Sequence, residues 1–542
     1  MDISRSRFSR PFTHKTTFES GKLIPIYCDE VLPGDTYQVD VSSVVRMLTP
    51  AVPVMDNCFL DVYFFFVPNR ISTLHSNDWQ KICGENTTGF WAPAEEHTLE
   101  STGNMMDFGF LQGYSQGITS GSCMNYFGIP IMKKTDSPYL NTASYIESLK
   151  ISTLPCVAYG KIWNEFFRDQ NTQPPITFTE DFVYRNNLHQ DCLPVNKLHD
   201  RFTSALPSPQ KGDPVMVPIG DVAPILFSRE MSPGSGELPS NDYAVVGSDL
   251  AYLASPNAES VPLGNNVISM VADLSSATGA SINQIRQAFA IQKMLERDAR
   301  SGSRYRELLK SHFNVSMPDS TVQVPEYLGG KRVPLNITQV LQTSQTSDTS
   351  PLGATGAFSN TSFSDSLFIK SFTEFGYIIG VACVRTSQSY SQGIERMWTR
   401  NRRYDWYYPV FANLGEQAIK RSELYIPVNG ETPSEDNNKL LSHDSVFGYQ
   451  EAWSEYRYHP NLVTGNFAPN AKDATLTAWT YTNNFTAPPV LNSDFMKQPT
   501  SQIGDTLVVT NTKTQFVADF YFDVKTTRPM PLYSIPGLVD HH

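Results

Sequence analysis

A mainly β chain, folded as one large sandwich, is the class that three features of these 542 residues predict. The stretch LDVYFFFVP at 60–68 sorts with period 2: Leu60, Val62, Phe64 and Phe66 fall on one face, Asp61 and Tyr63 on the other. That is the alternation of a strand with one buried side. Near the other end, FVADFYFDVK at 516–525 repeats the pattern, with Phe516, Ala518, Phe520, Phe522 and Val524 on one face and Asp519, Tyr521, Asp523 and Lys525 on the other. Between them, 37 prolines and 32 glycines punctuate the chain and mark turns between short segments. Length alone suggests about three domains. Two phenylalanine-faced strands roughly 450 residues apart argue instead that the chain folds back on itself, because each alone would be a sticky edge. Paired in one sheet and packed on a second, they would hold their rings about 10 Å from the opposing layer.

Taken in order, residues 1–22 form a basic arm, with Arg5, Arg7, Arg10, Lys15 and Lys22 against Asp2 and Glu19, and with Phe8, Phe12 and Phe18 interleaved. A single domain over 23–542 follows. It opens with KLIPIY, a VLPGDT turn, and TYQVDV with Tyr37, Val39 and Val41 on one face, a strand signal. Residues 70–155 are mostly irregular. In YGKIWNEFFRDQ, Tyr159, Ile162, Trp163, Phe166 and Phe167 make the broad apolar stripe of a helix, and QPP at 173–175 ends it.

Residues 207–280 differ in kind. Nine prolines lie between Pro207 and Pro262, and two cations stand against eight carboxylates, half of the chain's net charge of −12. A structureless connection this long is usually functional, and it reads as an acidic, Pro-rich insertion projecting from the body. A helical insertion at 281–313 begins with the capping box Ser281/Gln284. Ile282, Ile285, Phe289, Ile291 and Leu295 form its apolar side, Gly302 breaks it, and YRELLKSHF continues as a shorter helix. The Ser/Thr/Gly-rich stretch 342–366 reads as a second long loop. Strand signals return at 372–386, and aromatic-rich irregular segments run from 390 to 470.

Charged residues make up 18% of the chain, against about 25% in ordinary soluble domains. Either a large apolar core or extensive burial against other proteins explains the deficit. The longest apolar run, FGYIIGVACV at 375–384, is far shorter than the roughly 20 residues of a membrane span, so no membrane insertion is expected. The basic N-terminus lacks the apolar region of a signal peptide. Seven scattered cysteines without a CxxC pair favour reduced thiols.

Catalytic signatures are missing: Lys22 and Lys331 are followed by Leu and Arg, which excludes a Walker A loop, and no HExxH, GxSxG or GxGxxG occurs. His189, Cys192 and His199 come nearest to a metal set, but their spacing fits no zinc pattern. No metal, cofactor or enzymatic activity is expected. Nucleic acid has two candidate contacts. Arg5, Arg7, Arg10 and Lys15 could neutralise phosphates. The segment RMWTRNRRYDWYY at 396–408 mixes Arg396, Arg400, Arg402 and Arg403 with Trp398, Tyr404, Trp406 and Tyr407. That mixture suits single strands and equally suits protein interfaces.

Several long blocks carry a resemblance: HKTTFESGKLIPIYCDEVLPGDTYQVDV, LDVYFFFVPNR, IWNEFFRDQN, QKMLERDARSGSRYRELLKSHFNV with PEYLGG, QGIERMWTRNRRYDWYYPVFANLGEQ, FGYQEAWSEYRY and DFYFDVKTTRPMPLYSIPGLVDHH. In order, and from about residue 14 to the end, they closely resemble the major capsid proteins of gokushovirus-type microviruses, small icosahedral bacteriophages with circular single-stranded DNA. The resemblance implies an eight-stranded antiparallel jelly roll of the viral capsid type, with long loop and helical insertions. It also implies sixty copies in an icosahedral shell, a small basic packaging protein with the genome inside, and an insertion outside that engages a host cell-surface receptor. Assembly in the host cytoplasm and residence in the virion follow. An alternative class, a jelly-roll carbohydrate-binding protein or glycoside hydrolase, would share the strands and aromatics but needs carboxylates paired across a cleft.

Overall fold

The computed structural model describes residues 5–533 apart from 76, 84–96, 108–117, 132–149, 214, 216–224, 230–243, 247–251, 255–260, 263–267, 273–281, 302–304, 315, 317, 319–322, 344–351, 354, 427–444, 470, 472–475 and 510–512. The chain divides into two compact units, 1–209 with 298–542, and 210–297.

The larger unit is built on nine strands: β1 (Ser6–Ser9), β2 (Phe12–Phe18), β3 (Ile24–Val31), β4 (Thr36–Met47), β5 (Cys58–Pro68), β6 (Glu326–Pro334), β7 (Thr361–Ser371), β8 (Gly376–Thr386) and β9 (Phe516–Arg528). One sheet has the order β1-β9-β4-β7, with β2 also on β9, and the other has the order β6-β5-β8-β3. All these pairings are antiparallel. Because β1 and β2 run along the same strand, either side of Arg10 and Pro11, each sheet holds four ribbons. The fold is mainly β and of the jelly-roll kind, in which two antiparallel sheets lie face to face.

Rings fill the space between the sheets. Phe64 of β5 lies 6.3 Å from Phe522 and 5.6 Å from Phe368, and Tyr27 lies 5.2 Å from Phe522. Strand β4 follows strict alternation, burying Tyr37, Val39, Val41, Ser43, Val45 and Met47. Opposite the rings of β5, strand β8 carries glycines. A Cβ on Gly380 would sit 2.8 Å from the Phe64 ring, and one on Gly376 2.5 Å from that of Phe66. Glycine here is a packing requirement: the small residue admits the large one across the ladder.

Four expectations need correction. The strands at 60–66 and 516–524 are not neighbours in one sheet. They lie in opposite sheets and meet ring to ring across the core, since two faces of phenylalanine are buried as well by facing one another as by lying side by side. The strands that do flank β9 are β4 and the N-terminal β1 and β2, so the supposed arm is sheet. Second, the other face of β5 is not open: Asp61 and Phe65 are buried, covered from the helix side. The helix expected over 159–170 is α1 (Leu154–Ile162), which passes into a π-helical turn at Trp163–Phe167. That turn lays Phe166 at 4.7 Å from Phe65 and Phe167 at 5.8 Å from Tyr63.

Third, 342–366 is not one loop. It contains the strand Thr355–Ser359, paired with Ile337–Leu341, and the start of β7. The exposed side of β7 is polar, with a Ser42–Ser364 hydroxyl pair at 2.7 Å, so hydrophobic alternation was too weak to reveal it. Fourth, the second unit carries short antiparallel strands at Ile225–Arg229 with Ile268–Ala272, and at Ala244–Val246, Tyr252–Ala254 and Val261–Pro262. Segments of two to five residues are too brief for periodicity to register. Helices α2 (Ile282–Ser301) and α3 (Tyr305–Phe313) fall where expected, while Ser281 of the capping box and Gly302 lie outside the described residues.

Candidate functional site

On the outer side of the β6-β5-β8-β3 sheet, Asp61 is fully buried and takes two arginines. Arg332 Nε and Nη2 donate to it at 2.6 and 3.1 Å, and Arg385 donates from Nε at 2.9 Å and again from Nη2, which also reaches the Tyr63 hydroxyl at 3.1 Å. Cross-strand register places them: Arg332 of β6 pairs with Asp61, and Arg385 lies two residues along β8 from Cys383, the other cross-strand partner of Asp61. Tyr63, Arg332 and Arg385 line an open cleft of 1390 Å³.

Each of the five arginines of the cleft faces a carboxylate. Besides the Asp61 pair, Arg201 meets Glu423 at 2.7 Å, Arg457 meets Glu451 at 2.8 Å, and Arg300 meets Glu416. The remaining acid, Asp200, accepts from the Tyr390 hydroxyl at 2.6 Å and from the Phe202 and Thr203 amides at 2.9 and 2.8 Å. The carboxylates of the cleft are therefore committed to internal bonds, not set facing one another as glycoside hydrolysis requires.

A second cleft, of 820 Å³, is lined by Lys197, Tyr481, Asn483 and Phe495. The Lys197 ammonium is buried, 3.3 Å from Asn483 Oδ1 and 4.5 Å from the Phe495 ring centroid. Burial pushes its pKa from 10.5 down to about 8, against the pull of Asp200. Between pH 8 and 10.5 the unfolded chain binds this proton and the folded one does not, so stability rises with pH across that window. Below pH 8 the full cost remains. Lys197→Met is accordingly expected to stabilise the unassembled subunit by about 2–3 kcal/mol at pH 7, the shift less the lost hydrogen bond. The gain should vanish above pH 10.5, as read by urea unfolding at a series of pH values.

The basic candidates are divided by the structure. Arg10 is held inside the first sheet's rim: it pairs with Asp29 and donates to the Tyr37 hydroxyl at 3.2 Å and to Thr526 Oγ1 at 3.1 Å. Arg5, Arg7 and Lys15 are exposed, the last two on β1 and β2. Arg400 lies 3.1 Å from Glu455 with its side chain only 9% exposed, and 4.5 Å from the centroid of Tyr456. Arg402 is exposed, and Arg403, also exposed, lies over Tyr408 at 5.6 Å. Sequence reasoning did not find the Asp61–Arg332–Arg385 cluster, whose members are about 270 and 320 residues apart. The only local signal was an acid within an otherwise apolar strand.

His189 is buried with its Nε2 at 3.0 Å from Gln190, whereas His199 is exposed at the first cleft. Among the described residues no group of three or more His, Cys, Asp or Glu is placed to hold a metal ion. All seven cysteines are free, and burial pushes the Cys156 thiol up to about 12. No helix among the described residues is long and apolar enough to cross a membrane.

The sandwich is a jelly roll of the type found in viral shells; the charged groups of its first cleft are paired with one another, and among the described residues it exposes a run of aromatic rings at 397–414. Comparison with known proteins makes this particular: the chain belongs to the capsid protein (F protein) family, whose model matches residues 1–538. A capsid protein VP1 of Bdellovibrio phage phiMH2K is 38% identical over 98% of this chain and 95% of its own length. Those of Chlamydia phage 1 and Spiroplasma virus 4 are each 33% identical over 99% of this chain and 96% of theirs. The chain is thus a structural capsid protein of the virion, related to those of gokushovirus-type microviruses.

Proposed function

We propose that sixty copies of this subunit close an icosahedral shell around a circular single-stranded DNA genome, together with a small basic packaging protein. Assembly takes place in the host cytoplasm and requires no catalysis by the chain. The observation that carries the reading is the family match over residues 1–538, joined to a jelly-roll sandwich. Closed symmetry repeats every contact around the shell, so modest interfaces suffice. Within this reading Arg5, Arg7 and Lys15, outside the network that holds Arg10, are the N-terminal residues offered to DNA phosphates. The acidic insertion at 207–280 is the outward protrusion that engages a host receptor. Its separation as a compact unit over 210–297 suits a part that varies without disturbing the strands.

Cells expressing the chain, with scaffolding partners supplied, should yield small isometric particles by electron microscopy. A chain that stays monomeric under those conditions would overturn the reading.

A further inference from the structure

The segment 396–408 left two readings open, nucleic acid and protein contact, and its geometry separates them. The guanidinium groups of Arg396 and Arg400 turn inward, while Arg402 and Arg403 stay exposed, the latter 5.6 Å over the Tyr408 ring. Arg400 is bound to Glu455, and Arg396 Nη2 donates to the Ala418 carbonyl at 2.9 Å. The rings turn outward: Trp398 is 75% exposed, Tyr404 71%, and Val410, on the next turn, 88%. Met397, Trp406, Tyr407, Tyr408 and Leu414 are exposed too.

Three of the exposed rings, Tyr404, Tyr407 and Tyr408, are tied together through Phe411 and the buried Trp453. Tyr404 and Tyr408 lie 6.3 and 6.1 Å from Phe411, which lies 6.3 Å from Trp453, and Tyr407 touches Trp453 at 5.8 Å and Tyr456 at 6.4 Å. The backbone of the segment is fixed by short helical turns at Arg396–Thr399, Arg403–Asp405 and Pro409–Phe411, and by Asp405 accepting from the Asn401 and Arg402 amides at 2.8 and 2.7 Å. With aromatic side chains of roughly 150–250 Å² each, the bare apolar area is on the order of 1,000 Å². The largest patch on a typical monomer is about 300–600 Å², and a stable protein interface takes about 800 Å² per partner. Charge points the same way: over 394–414 and 451–459, five arginines stand against four carboxylates, a near balance unlike the cationic excess that phosphate contact needs.

We infer that this ring surface is where a second copy of the chain docks, an assignment that rests on the shell-forming role proposed above. The surface is preorganised, wide enough for a lasting contact and nearly neutral. The partner that such a subunit meets at the highest local concentration is another copy of itself.

Hydroxyl-radical footprinting with mass spectrometry tests this on the full chain, comparing unassembled subunits with DNA-free shells. Oxidation of Met397, Trp398 and Tyr404 is expected to fall at least fivefold on assembly. The variant Trp398→Ser/Tyr404→Ser/Val410→Ser should keep the circular dichroism spectrum of the subunit while lowering shell yield at least tenfold. Equal oxidation in subunit and shell would overturn the inference and leave the shell-forming role intact. Protection found only in DNA-filled particles would give the surface to the genome and overturn it as well. If the unaltered chain forms no shell at all, both proposals fall.

Discussion

Asp61→Ala is expected to destabilise the subunit by about 3–5 kcal/mol, the range found when one partner of a buried ion pair is removed. Asp61 has no solvent exposure, and the Arg385 side chain beside it is 14% exposed, so the variant leaves a largely buried guanidinium with no counter-charge. Arg332, with its side chain 47% exposed, can turn to water and contributes less. Chemical denaturation of the unassembled subunit measures the loss. The companion variant Asp61→Leu/Arg385→Met removes both members and should recover most of it, because a well-packed apolar pair can replace a buried ionic one. A double variant as unstable as Asp61→Ala would show that the cost lies in packing, not in the orphaned charge.

Phe522→Ala should cost about as much, 3–5 kcal/mol for a fully buried phenylalanine. Its ring is the hub between the sheets, 5.0 Å from Phe12, 5.2 Å from Tyr27 and 6.3 Å from Phe64. With Phe64→Ala as the second arm, a double-mutant cycle is expected to give a coupling of about 0.5–1.5 kcal/mol, the worth of an aromatic pair beyond its area. Zero coupling would mean that the two rings stabilise their own sheets independently.

Much of the core was legible in the sequence, because β4 and β9 bury alternate residues and the inward face of β5 follows the same period, although its other face is buried too. Sheet membership was not. Alternation says which side chains point inward, and two strands on opposite walls of a sandwich write the same pattern as two strands on one wall. Strand β7 escaped because serines fill most of its open face and a bulge at Ser366/Phe368 breaks its register, so its evidence lay in the partner β4. The ion pairs escaped for a different reason: Asp61, Arg332 and Arg385 are joined by register across three strands, and nothing local in the sequence encodes that distance. At 396–408 the residue types were visible but their direction was not. Whether a guanidinium or a ring faces water depends on Glu455 and Trp453, half a hundred residues away.

The pairing of Ser6 with Arg528 has a consequence for the order of synthesis and folding. The ribbon at Ser6–Ser9 cannot find its neighbour until some 520 further residues have been made, so this sheet closes late in synthesis. Contacts of such sequence separation make folding slow and leave the waiting edges exposed to misassociation. A product cut short before residue 516 lacks the ribbon that joins Thr36–Met47 to the N-terminal strands, and the two edges it would have joined are left without a neighbour.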